Sequence, residues 1–219
     1  TTSAPTLNKT AYGLAIASLI SEMGIIVTGG AVRLTASGLG CSEWPKCTPE
    51  SMVATPELGM HGAIEFGNRL LTFLLAGIAL ALVMVLWKQR KHYKTIIKLA
   101  IFLMLTIPLQ AFIGGITVWS GLNPWVVACH FLVSAIMVSV ATFMLVRVHA
   151  EYKRSQGLLP ANASIVDGET SGTTRFLAWS LLGFMALIVF LGTIVTGTGP
   201  HAGDPSTPRH DFDLELVAR

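Results

Sequence analysis

The sequence predicts an all-α fold: a polytopic membrane helix bundle, with one complete four-helix unit followed by the first helix of a second, duplicated unit. Three observations predict it. Charged residues make up 12% of the 219 positions and hydrophobic ones 52%, against about 25% charged in ordinary soluble domains. No position between Lys98 and Arg147 carries a charge. Five uncharged or nearly uncharged runs, 12–30, 70–87, 99–119, 125–146 and 176–197, each match the ~20 residues that cross a hydrocarbon core. A disordered chain is excluded, and five such runs exceed what the core of a soluble bundle of this length demands. A nucleic-acid partner is disfavoured, because the 15 Lys+Arg form no stripe interleaved with aromatics.

The first helix is expected at about 11–30. Lys9 is the only charge before it and Glu22 the only acid inside it, so it reads as a retained span rather than a signal peptide. The next three helices are expected at about 61–87, 95–119 and 124–147. Pro108 and Gln110 mark an irregularity in the third. Ser120-Gly121-Leu122-Asn123-Pro124 is short enough only for a helical hairpin, and Trp119 and Trp125 flank it as interfacial aromatics do. Residues 1–155 thus form the four-helix unit. Residues 156–174, rich in Ala, Gly, Ser and Thr, read as a mobile cytoplasmic linker, and 175–219 as the fifth helix with an outer loop.

Loop charges orient the chain. Lys88, Arg90, Lys91, Lys94 and Lys98 join Lys9, Arg147, Lys153, Arg154 and Arg175 on one side, against Glu151, Asp167 and Glu169. Seven acids, Glu43, Glu50, Glu57, Asp204, Asp211, Asp213 and Glu215, lie on the other with Arg33, Lys46 and Arg209. The positive-inside asymmetry places the N-terminus in the cytoplasm of a bacterial plasma membrane and residue 219 outside.

Met23-Gly24-Ile25-Ile26-Val27-Thr28-Gly29-Gly30 closes the first helix, and Leu191-Gly192-Thr193-Ile194-Val195-Thr196-Gly197-Thr198 closes the fifth. The shared Gly-x-Ile-Val-Thr-Gly at the same depth and direction implies duplication. By that reading the sequence is C-terminally incomplete, and 210–219 begins a sixth helix. Cys41 and Cys47, six apart around Pro45, suit a disulfide in an oxidising compartment; free thiols or metal ligands are the alternatives. Cys129, inside the fourth helix, is expected to be packed.

Polar groups at membrane depth carry the chemistry. Glu65 and Arg69 share a helix face, as do His61 and Glu65. The pair reads either as an interfacial ion pair or as a carboxylate at a pocket mouth, with Arg69 binding an anionic group such as a propionate. His130, in an otherwise apolar helix, is either a satisfied polar histidine or a heme-iron ligand between helices. Gly29-Gly30 and Gly114-Gly115 thin two helices, for a wide flat ligand or for close helix packing. There is no Gly-rich phosphate loop and no Ser/His/Asp set.

Val27-Thr-Gly-Gly-Ala-Val-Arg-Leu-Thr-Ala-Ser-Gly-Leu-Gly-Cys41, Trp44-Pro45-x-Cys47, His61-Gly-Ala-Ile-Glu65-Phe-Gly-Asn-Arg69 and Thr198-Gly-Pro-His201-Ala-Gly-Asp204 resemble the heme A synthase family, in the manner of its actinobacterial-type members. The resemblance spans essentially the whole chain. It implies an eight-helix membrane oxidoreductase that converts the C8 methyl of heme O, the substrate, to the formyl of heme A for cytochrome oxidase assembly. It also implies a heme b cofactor mainly in the C-terminal half, and an outer-loop cysteine pair matching Cys41 and Cys47. The family's Glu-x-x-His-Arg falls on Glu65, Asn68 and Arg69, and its fourth-helix histidine on His130. The implied set is therefore Glu65 as the catalytic carboxylate, with His130, Arg69 and Asn68 around heme and His130 as the metal ligand. Asn68 departs from the family histidine, so His130 is expected to ligate alone. Implied partners are heme O synthase, the terminal oxidase assembly machinery, an electron acceptor the sequence does not name, and the lipid bilayer, with a homo-oligomer left open. The competing readings are a membrane b-type cytochrome-like electron-transfer protein without heme-modifying activity, and a transporter fragment.

Overall fold

The computed structural model describes residues 6–160 and 171–198. Five helices long and apolar enough to cross a membrane account for most of them, and no strand occurs among the described residues. They are α1 (Lys9–Leu34), α2 (Gly59–Trp87), α3 (Lys94–Trp119), α4 (Pro124–Ser155) and α5 (Gly172–Thr198), with a 3-10 turn at Pro56–Leu58 before α2. The sequence motif around His201, the outer loop after α5 and the proposed start of a sixth helix lie outside the described residues. So do positions 161–170 of the expected linker.

Local chemistry sets the ends. Asn8 Oδ1 accepts from Thr10 N at 2.9 Å, Asn123 Oδ1 from Trp125 N at 3.0 Å, and Ser171 Oγ from Thr174 N at 3.2 Å. Each cap satisfies a first-turn N–H that has no partner within its helix. Pro124 then occupies the first position of α4, where a missing N–H costs nothing. At the other end of α1, Ala36 adopts a positive φ of 53° and Ser37 N donates back to Val32 O, a left-handed helix stop.

Two helices outrun their apolar stretches. α1 continues to Leu34 and α4 to Ser155, two turns past the expected 147. The added turns of α4 have partners of their own: Tyr152 stacks on Tyr12 at 4.9 Å, His149 Nδ1 meets Tyr12 Oη at 3.0 Å, and Glu151 pairs with Arg154. α3 runs unbroken through Pro108.

The chain divides into two compact bodies, each drawing on several helices. One, the core body, comprises Thr1–Gly24, Thr72–Leu109 and Ala135–Gly183. Its interior is built from helical stripes: Leu75, Ala79, Leu82, Val83 and Leu86 on α2, Ile96, Ala100, Leu103 and Ile107 on α3, and Met137, Ala141, Met144 and Val148 on α4. The spacing of three and four is that of a single helix face. α1 adds Ala11, Ala15, Ser18 and Glu22, so Glu22 sits in the buried stripe at 4% exposure.

The second, the loop body, comprises Ile25–Leu71, Gln110–Ser134 and Phe184–Arg219. Its buried residues among those described are few and mostly small, polar or sulfur-bearing: Ser37, Cys41, Cys47, Gly62, Glu65, Gly115, Thr117, Val118, Leu122, Pro124, Thr193 and Gly197. It is held by directed bonds more than by an apolar interior. All of the candidate site residues lie in it.

Candidate functional site

The connection from α1 to α2 folds back on α2 through one disulfide and one arginine. Cys41 and Cys47 are bonded, with S–S 1.98 Å and both residues fully buried. Glu65, on the second turn of α2, accepts from Cys41 N at 2.7 Å through Oε2. Its Oε1 takes Arg69 Nε at 3.2 Å and Arg69 Nη2. Arg69 Nη1 donates to the carbonyls of Glu43 (2.9 Å) and Lys46 (3.0 Å), and Nη2 to that of Cys41 (3.1 Å). A guanidinium has five N–H donors, and here all five are committed to the disulfide loop and to Glu65. The i,i+4 ion pair is therefore also the clamp that holds the loop against α2, and its donors point at loop carbonyls rather than into open space.

Glycine makes this approach possible at Gly40. A Cβ there would overlap the carbonyl of His61, which is backbone and cannot move aside. Gly40→Ala is expected to cost about 1–3 kcal/mol, as overpacking does, and to lower the unfolding midpoint in mixed micelles. An unchanged midpoint would show that the loop does not need this contact. His61 itself is exposed and bonds Ser37 Oγ through Nδ1 at 2.9 Å.

Trp44 pins the same loop to α3. Its ring meets Trp119 and Phe112 edge to face at 5.3 and 6.4 Å, and its carbonyl accepts from Trp119 Nε1 at 3.2 Å. The indole lies over Gly115, where an added Cβ would come within 2.5 Å of the ring. Gly114, one residue earlier, faces His130 instead: a Cβ there would sit 3.5 Å from Cε1 and 3.9 Å from Nε2. The glycine pair of α3 is thus filled on one side by tryptophan and on the other by imidazole. Gly29 and Gly30 of α1 face open space.

Asn68 accepts from Thr28 Oγ1 at 2.6 Å, tying α2 to α1. His130 differs from every other candidate. Its Nδ1 is buried without a hydrogen-bond partner, and among the described residues its ring makes no hydrogen bond. An imidazole left unpaired in a partly buried position fits an iron ligand, which needs a nitrogen lone pair that no protein donor has claimed. His130 also falls seven residues before Met137, on the line of the buried stripe of α4. Cys129, about 100° around the helix, is exposed rather than packed, which corrects the sequence-based expectation.

The family model described as Cytochrome oxidase assembly protein (COX15-CtaA) matches residues 12–203. This chain belongs to that family. Among curated relatives it is 27% identical over 194 residues to the Heme A synthase of Bacillus licheniformis, covering 88% of this chain and 60% of the relative. It is 30% identical over 197 residues to the Heme A synthase of Bacillus pumilus, at 85% and 60% coverage. It is 27% identical over 205 residues to that of Lysinibacillus sphaericus, at 92% and 62%. The chain thus spans about 60% of the length of these relatives. No solved structure matches. Within this multi-pass membrane family, the cysteine pair, Glu65, Arg69 and His130 collect in one body. Gln110, Ser134 and Trp44 belong to the same surroundings, although their long-range partners leave no pattern in the sequence.

Proposed function

We propose that this chain is the substrate-binding part of a heme A synthase, which oxidises the C8 methyl of heme O to a formyl group for cytochrome oxidase assembly. The single observation that carries this is the unpaired imidazole of His130 in a family whose relatives bear the name Heme A synthase. Those names favour the synthase over an electron-carrying cytochrome.

In this reading His130 faces the iron of heme O and is the one histidine ligand from this chain, because Asn68 carries no imidazole and is engaged with Thr28. Bound heme iron supplies the redox chemistry; the protein supplies binding, orientation and proton handling. Glu65 is the catalytic carboxylate. Its two oxygens accept hydrogen bonds from Cys41 N, Arg69 Nε and Arg69 Nη2, with the Gly40 amide a further backbone donor beside them, and this carboxylate is the group that receives the proton released as the methyl is oxidised. Arg69 contributes by holding the disulfide loop beside that carboxylate. Asn68 contributes by fixing α1 to α2 at the heme-facing level.

The resident heme b is assigned to the second four-helix half, whose first helix is α5. α5 contains no histidine, so this helix supplies no imidazole to it. α5 also buries only Thr193 and Gly197 among its 27 residues, which suits a helix that packs within that half. The repeated Gly-x-Ile-Val-Thr-Gly supports the duplication, and the loop charges support a cytoplasmic N-terminus and an extracytoplasmic site. Heme O synthase as donor and the oxidase assembly machinery as recipient follow from the substrate and product.

Heme extraction from cells expressing the full-length protein beside a heme O synthase tests the assignment. Wild type is expected to accumulate heme A. Glu65→Gln is expected to retain bound heme O and form heme A at least 100-fold more slowly, the range of a lost acid–base group. Unchanged turnover in Glu65→Gln would remove the catalytic role and leave the carboxylate a strut for Arg69.

A further inference from the structure

A histidine that ligates iron almost always passes its other ring N–H to a partner, and that partner fixes the tautomer. His130 Nδ1 has none in the protein, yet a complementary orphan lies at the same helix crossing. Gln110 and Gly114 are four residues apart on α3 and share a face. Gly114 lies against the His130 ring. One turn away, Gln110 Nε2 donates to the backbone oxygen of His130 at 3.3 Å and to Ser134 Oγ at 2.5 Å. Ser134 Oγ in turn donates to that same His130 oxygen at 2.9 Å.

A carbonyl only accepts, so the amide atom facing it is the nitrogen, and this sets which way Gln110 points. Its Oε1 is consequently directed elsewhere, and it is buried with no partner. A buried amide acceptor and a buried imidazole nitrogen are therefore left over together, on two residues that already touch. Each uncompensated group costs about 1–3 kcal/mol. The two atoms are not bonded to each other in the structure; a side-chain rotation that brings them together, or a single bridging water, would satisfy both. Two unrelated orphans are the bland reading; their complementarity and shared location argue against it.

We propose that Gln110 is a positioning residue for His130: its Oε1 accepts the Nδ1 proton, which keeps the Nε2 lone pair available to iron. The inference rests on the proposed function and deepens it. Ser134 has a supporting part only, since it holds the amide nitrogen and leaves Oε1 untouched.

Titration of the chain in lipid nanodiscs with hemin, with the midpoint potential of the bound hemin measured alongside, tests this. Wild type is expected to give an imidazole-ligated Soret band. In Gln110→Leu the dissociation constant for hemin rises 10- to 100-fold, the usual span for a lost outer hydrogen bond to a ligand, and the potential moves up. In Gln110→Glu the carboxylate is a stronger acceptor, so binding persists and the potential moves down. A wild-type dissociation constant in Gln110→Leu, or a wild-type potential in Gln110→Glu, overturns the positioning role. If His130→Ala meanwhile loses the ligated band, the functional reading beneath it still stands. A ligated band unchanged in His130→Ala overturns that reading itself.

Discussion

Arg69→Ala is expected to destabilise the protein by about 3–5 kcal/mol, the cost of removing one partner from a buried, hydrogen-bonded ion pair, and to free the 41–47 loop from α2. The size follows from what is lost together. Glu65, 6% exposed, would keep its charge without its cation, and the carbonyls of Cys41, Glu43 and Lys46 would lose their donors. Surface ion pairs at i,i+4 are worth only a few tenths of a kcal/mol, so a loss in that range would mean that the clamp is not formed. Arg69→Lys is expected to recover a minor part, because an ammonium cannot reproduce a planar fork that reaches four acceptor groups. Mixed-micelle unfolding reads the stability. Hydrogen exchange at the Cys41 amide, which donates to Glu65, reads the loop directly and should accelerate in both variants.

His130→Ala is expected to have the opposite profile: folding close to wild type, and loss of heme binding by this chain. The ring makes no hydrogen bond among the described residues and leaves Nδ1 buried and unpaired. Removing a buried polar group that lacks a partner sacrifices packing but also a desolvation cost, so the net change is expected to be within about 1–2 kcal/mol. Under the proposed function the same variant in the full-length protein forms no heme A, because the substrate is no longer held by its iron. The contrast with Arg69→Ala separates a residue that holds the protein together from one kept for a ligand. Equal destabilisation by both would blur that division, and calorimetry or micelle unfolding beside hemin titration would show it.

The helices were legible because a membrane span is a composition: eighteen or more apolar residues need no partner to be recognised. Their ends were less so. α4 runs through Val148 to Ser155 on a charged, aromatic sequence, supported by Tyr12 from a helix more than a hundred residues away. The Glu65–Arg69 pair was readable from its spacing, but its meaning was not. Backbone carbonyls leave no trace in a sequence, so nothing announced that Arg69 would spend its remaining donors on the disulfide loop. Gly115 was readable as a thin place in α3 and not as the seat of Trp44. Gln110 drew notice only as a polar residue near Pro108. Its bond to His130 is a long-range contact between two helices, and the helical period of either one alone does not contain it. His130 was the most visible of the site residues, since an imidazole in an apolar helix is costly unless it is used.

Resonance Raman spectroscopy of the chain reconstituted in nanodiscs with ferrous heme O tests the central claim most directly. Ligation by His130 predicts an iron–histidine stretching band in the wild type, absent from His130→Ala and restored when free imidazole is added to that variant. The same band, at the same frequency and intensity, in His130→Ala without imidazole would contradict it.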